Sequence, residues 1–207
     1  MAYSSPAAEQ GTLQTDADTT LHILKARGLT AVIAESCTAG SVASVLAERP
    51  DAGAVLEGGF VVYSKRQKTM ALGVDPDLLQ KEGAVSEEVV RQMASGALAH
   101  SHADIALSIS GVLGPVRDED DNPVGLVCFC AIHRDGHMRV LRKMWEMVDR
   151  DALCRLAVQE ALRLLVAFAE SLPAEIRATS DADGIEDPMT ARAPFTGHVA
   201  PWRPSPH

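Results

Sequence analysis

No CxxC pair occurs among the four cysteines of the chain, and its first residues lack the basic-then-apolar pattern of a secretory leader. Together these absences argue against a disulfide framework and point to a reducing, cytoplasmic setting. Every apolar stretch is interrupted well short of the roughly 18 residues that would suggest a membrane span, so no membrane partner is expected. Positive charge is also scarce, with a formal net charge of −9. General nucleic-acid binding needs a concentrated cationic surface to repay counterion release, and is excluded as an expectation. A small anionic ligand remains compatible, provided the positive charge is local. No internal repeat is evident.

What is present is 207 residues with 46% apolar content, enough to bury one core. Residues 1–18 are rich in Ser, Ala, Gly, Gln and Thr without an apolar period, and are expected to form a disordered arm. Residues 172–207 carry Pro173, Pro188, Pro194, Pro201, Pro204 and Pro206, which remove backbone donors and predict a disordered tail. One domain over 19–171 is left.

Within it, a short helix is expected over Thr19 to Arg27, and a buried strand over Ala31 to Glu35. A helix follows from about Gly40 to Glu48, then a strand from Val55 to Tyr63. Ser64, Asp75, Ser86 and Asp149 stand where helix caps are needed, with Pro76 at a first helical position. Ile105 to Ser110 reads as a strand. Val124 to His133 and Met138 to Met147 read as a hairpin through Asp135-Gly136. Leu153, Leu156, Ala157, Leu164, Leu165 and Phe168 mark one face of a final helix. Alternating elements with one hairpin predict an α/β fold, a three-layer-like domain with a mixed sheet flanked by helices.

The segment Ala34-Glu35-Ser36-Cys37-Thr38-Ala39-Gly40 passes from strand to helix through small and hydroxyl residues, beside free helix amides. It offers a nucleophile with an oxyanion or anion site, or simply a helix cap, and the residues alone leave both open. Cys37 is a second possible nucleophile. A serine needs a base. His22, His100, His102, His133, His137, His198 and His207 fall in expected surface helices, a hairpin or tails, and read as solvated. Lys65 and Lys68 lie three apart, on one helix face, so one could turn inward. Lowering a lysine from about 10.4 to about 7 costs roughly 4–5 kcal/mol, which only desolvation or a cationic neighbour supplies. Cys128 and Cys130 share a strand face and Cys154 sits on a helix, all read as core thiols. The run Asp118-Glu119-Asp120-Asp121 resembles a cation site, but contiguous loop carboxylates are usually solvated, and no metal is assigned.

Four ordered motifs resemble the CinA C-terminal domain family: Ala34 to Gly40, Gly59-Phe60-Val61-Val62-Tyr63-Ser64, Gly83-Ala84-Val85-Ser86-Glu87-Glu88-Val89, and Ser110-Gly111-Val112-Leu113-Gly114-Pro115. Pro123-Val124-Gly125 is similar to the close of the family's pattern, and the likeness spans roughly Leu21 to Phe168. Larger members carry a further N-terminal domain, so the chain resembles the stand-alone form. The resemblance implies a cytoplasmic, homo-oligomeric (dimer or higher) nicotinamide mononucleotide deamidase that needs no cofactor and works through a Ser/Lys dyad. Residue by residue it implies Ser36 as nucleophile and Lys68 as base, with Thr38, Tyr63, Ser110 and Arg150 lining a pyridine-nucleotide site. Arg150 or a helix N-terminus would take the phosphate.

The chain departs from the family's pattern in three places. Val116 to Asn122 replaces a glycine-rich turn with bulky and acidic residues, Asp51-Ala52-Gly53 replaces Gly-Ser-Ser, and Ala39 replaces a common glycine. Missing site hydroxyls and a more acidic entrance are the expected consequences. Two other readings follow from the same features: a catalytically impaired nucleotide-binding relative, and an interaction module using the Pro-rich tail.

Overall fold

The computed structural model of the chain describes residues 6–146 and 149–174. Consecutive strand residues point to opposite faces, and the central strands are apolar on both, which demands helices on each side. In β1 (Ala31–Glu35) all residues are buried, Ala31 and Ile33 in one core and Val32 and Ala34 in the other. β3 (Ile105–Gly111) and β4 (Leu126–His133) are split the same way. The edge strands β2 (Leu56–Val61) and β5 (Met138–Met144) are half-exposed. The sheet order is β2-β1-β3-β4-β5, with β1 parallel to β2 and β3, and β4 antiparallel to β3 and β5. This is the expected mixed α/β sandwich.

One face is covered by α1 (Pro6–Ala26), α2 (Ser41–Ala47) and α6 (Arg150–Ser171), the other by α3 (Lys65–Leu72), α4 (Pro76–Glu82) and α5 (Glu87–Ala99). The predicted caps hold: Ser64, Asp75, Ser86 and Asp149 accept the amides of Gln67, Asp77, Val89 and Ala152. Gly96 lets α5 approach the end of α3, because a β-carbon there would collide with the Leu72 carbonyl. The chain therefore leaves β1 for one face through α2 and leaves β2 for the other through α3. A crevice opens over the carboxyl ends of β1, β2 and β3, where Glu35 is level with Val61 and Ile109.

The largest departure from expectation is at the start. α1 begins at Pro6, so residues 6–18 are helical rather than a disordered arm. Leu13 and Ala17 continue the stripe of Leu21 and Leu24 into the core beneath α6. Leu13 and Ala17 alone among threonines and aspartates carry little periodicity, and packing against α6 supplies what propensity does not. At the other end α6 stops at Ser171, and the Pro173 carbonyl accepts Arg27 Nη2 at 2.7 Å. The predicted tail beyond residue 174 lies outside the described residues.

Candidate active site

Ser36 is the first residue after β1, and its amide donates to the Ile109 carbonyl at 3.0 Å, which ties it to the neighbouring strand. Its side chain meets Lys68 from the next helix over, the ammonium donating to Ser36 Oγ at 2.7 Å. Lys68 is wholly buried. Its other partner is the Val62 carbonyl, at 3.0 Å. Both partners are oxygens without formal charge, so neither offsets the loss of water. Desolvation accordingly pushes the Lys68 amine down to about 8. With the amine neutral, one N–H still serves Val62 and the lone pair faces the Ser36 hydroxyl, the geometry a serine needs from a general base.

The turn carrying Ser36 is braced by a residue that sequence reasoning passed over. Glu35 is buried, and its carboxylate accepts the amides of Gly40 at 3.0 Å, Val42 at 3.2 Å and Ala43 at 2.9 Å, plus the Thr38 hydroxyl at 2.6 Å. The free amides expected to hold an oxyanion or phosphate at the start of α2 are thus filled by the chain's own carboxylate. Buried backbone donors need partners, and a charged acceptor meets several at once. The apolar surroundings of Glu35 were the available signal, since a lone carboxylate ending a buried strand must find donors.

Thr38 is consumed in the same network and does not line the cleft. Tyr63, Ser110 and Arg150 do line it, together with Ser36, in a cleft of about 440 Å³. That volume falls in the range of small-molecule sites. Tyr63 is 66% exposed and stands at the rim. Ser110 is buried, its hydroxyl donating to the Ala84 carbonyl at 2.7 Å. Cys37 also lines the cleft, but burial, then proximity to Cys154, pushes its thiol up to about 12, so it stays protonated. Lys65 turns away from Lys68 to the carboxylates of Asp120 and Glu119. None of the described histidines lines the cleft, and His133, expected to be solvated, is instead buried against Asp135. Cys128 and Cys130 are core residues. Among the described residues no group of three or more His, Cys, Asp or Glu side chains is placed to hold a metal ion. No helix there is long and apolar enough to cross a membrane.

The profile of the CinA C-terminal domain matches residues 13–169. The chain belongs to that family. It is 44% identical over 142 residues to the nicotinamide-nucleotide amidohydrolase PncC of Escherichia coli (strain K12), covering 69% of this chain and 86% of that one. Among solved structures it resembles the competence/damage inducible protein CihA from Agrobacterium tumefaciens, with 32% identity and a TM-score of 0.73 over 81% of this chain and 99% of the other. The competence damage-inducible protein A from Klebsiella pneumoniae gives 34% identity and a TM-score of 0.74 over 78% and 99%.

The three departures from the family's pattern acquire physical content here. Ala39 has φ 51, in the left-handed region, which explains why a glycine is the easier residue. Asp51 pairs with Lys25, Ala52 is buried, and neither they nor Gly53 line the Ser36 cleft, so the expected loss of site hydroxyls is not seen in its walls. Residues 116–119 do line it, but its walls carry Lys65, Arg117 and Arg150 against Asp118 and Glu119, so the acidic entrance expected from the run is balanced by cations.

Proposed function

We propose that the chain is an amidohydrolase that converts nicotinamide mononucleotide to nicotinic acid mononucleotide and ammonia through Ser36 and Lys68. The observation that carries the reading is the 2.7 Å contact between a buried, charge-unpaired lysine amine and a serine hydroxyl at the floor of a substrate-sized cleft. The activity named for the Escherichia coli relative supports the choice of amide.

Neutral Lys68 takes the Ser36 proton as Oγ bonds to the carboxamide carbon. The same proton passes to the departing nitrogen as the C–N bond breaks, releasing ammonia. Water then attacks the acyl-serine, giving a proton to Lys68, which passes it to Ser36 Oγ as the acyl–oxygen bond breaks, and the acid product leaves as its carboxylate on losing its own proton to solvent. With a value of about 8, roughly a tenth of Lys68 is neutral at pH 7, a workable fraction for a general base. The start of α2 is filled by Glu35, so the phosphate is assigned to Arg150 at the head of α6. Tyr63 offers its ring to the pyridine at the rim, and Ser110 shapes the wall at the end of β3. The same reading takes the protein to be a cytoplasmic homo-oligomer, which light scattering of the purified chain tests.

Ammonia release from nicotinamide mononucleotide, with separation of the acid product, is the test. Turnover by the native chain and its loss in both Ser36→Ala and Lys68→Ala is the expected result. A folded native chain without turnover overturns the substrate, and turnover surviving in either variant overturns the dyad.

A further inference from the structure

The acidic run is folded, not splayed into solvent. The Asp118 carboxylate accepts the amides of Asp120 at 3.0 Å and Asn122 at 2.8 Å, and the Asn122 side-chain amide at 2.9 Å. Arg117 donates to the Asp121 carbonyl at 2.6 Å and pairs with the Asp121 carboxylate at 3.5 Å. The resulting turn sends Asp120 inward: its side chain is 20% exposed, against 72% for Glu119 and 87% for Asp121. Asp120 Oδ2 accepts the Ala84 amide at 2.9 Å, and Oδ1 accepts the Lys65 ammonium. The carboxylate rests over Gly83, where a β-carbon would collide with it.

We infer that Asp120 is a positioning residue for substrate binding, tethering the 116–119 segment, with Lys65 as its partner, as the outer wall of the cleft. The inference rests on the function proposed above. Val116, Arg117, Asp118, Glu119, Lys65 and Ala84 all line the cleft, so the tether joins three of its walls. Ala84 also receives the Ser110 hydroxyl on its carbonyl, which links the tether to the end of β3. The pair stays ionised at neutral pH: the Asp120 hydrogen bond holds the Lys65 ammonium above its ordinary value, and burial of Asp120 is outweighed by its bonds to Lys65 and Ala84. A wall ordered in advance spares the substrate the cost of ordering it, so losing the tether weakens binding more than chemistry. Asp120 touches neither Ser36 nor Lys68.

The test compares Asp120→Ala, Lys65→Ala and the double variant by two readouts. Amide hydrogen exchange needs no substrate. Exchange at Ala84 and across residues 116–122 is expected to quicken about tenfold in Asp120→Ala, with β1 and β3 unchanged. With nicotinamide mononucleotide, KM is expected to rise about fivefold in each single variant while kcat stays within about twofold, and the double variant should be no worse than the worse single. Unchanged exchange overturns the tether. Unchanged or lowered KM, a fall in kcat alone, or additive effects overturn its part in binding. Should the native chain fail to turn over this substrate, the proposed function falls, while the exchange result still decides the tether.

Discussion

Lys65 and Lys68 stand on one helix, one turn apart, with the same side chain, and they end in opposite states. Lys68 lies behind Ser36, outside the lining of the cleft and out of water, between two uncharged oxygens, and is pushed down toward neutrality. Lys65 lies at the rim, partly solvated between two carboxylates, and is held above its ordinary value. The difference separates two regions of the site. Ser36 and the Glu35 and Lys68 side chains buried behind it are fixed by burial and satisfied hydrogen bonds. The rim of Lys65, Arg117 and the acidic turn is fixed by charge pairing that water and salt can weaken.

The contrast breaks most sharply at Lys68. Arginine there keeps its proton at any working pH, so Lys68→Arg is expected to lower kcat/KM about a thousandfold or more. In the native chain kcat/KM should rise with pH and level off above about 8, since the base works only when neutral. A flat profile from pH 6 to 9 would assign the base elsewhere.

Stability gives a second view of the same residue. A lysine lowered to about 8 binds its proton less readily folded than unfolded, so native stability rises with pH from about 8 to the unfolded value of 10.5. Below that window the buried amine costs about 3 kcal/mol, partly offset by its two hydrogen bonds. Lys68→Met is therefore expected to be inactive yet more stable by about 1–2 kcal/mol at pH 7. The gap should close as denaturation is repeated toward pH 10. A gap independent of pH would mean that folding leaves the proton affinity of Lys68 unchanged.

At the rim the effects are smaller. Arg150→Ala should raise KM for nicotinamide mononucleotide about tenfold and leave kcat within a few-fold, with the defect shrinking as salt is added. The same defect against the dephosphorylated nucleoside would remove the phosphate from Arg150. Smallest of all, Ala39→Gly relieves the left-handed backbone at φ 51 but loosens the unfolded chain, so a gain of up to about 1 kcal/mol in chemical denaturation is expected. A loss would show that the freer unfolded chain outweighs the relief at Ala39.

Much of the fold was legible because its signals are local. Ser64, Asp75, Ser86 and Asp149 cap where short-range rules put them, and Asp135-Gly136 turns the hairpin. The first half of α1 was not, since Leu13 and Ala17 gain helical order from α6, far away in sequence. In the site, Ser36 and Lys68 were readable as candidates and as matches to the family's motifs. Thr38 was matched to the cleft by its motif, and only the fold shows its hydroxyl held by Glu35. Asp120 was hidden in a run of four acids that composition treats alike, and only the turn through Asp118 and Asn122 singles it out.

The sequence by itself determined the alternation of helices and strands, the strand-to-helix turn at Ser36 and the presence of a lysine three residues beyond a second one, because periodicity, caps and turn chemistry act between neighbours. Only the tertiary structure decided which lysine is buried, which carboxylate fills the start of α2 and which acid faces inward. Those outcomes depend on the water and charge around each group, and groups from distant parts of the chain supply both.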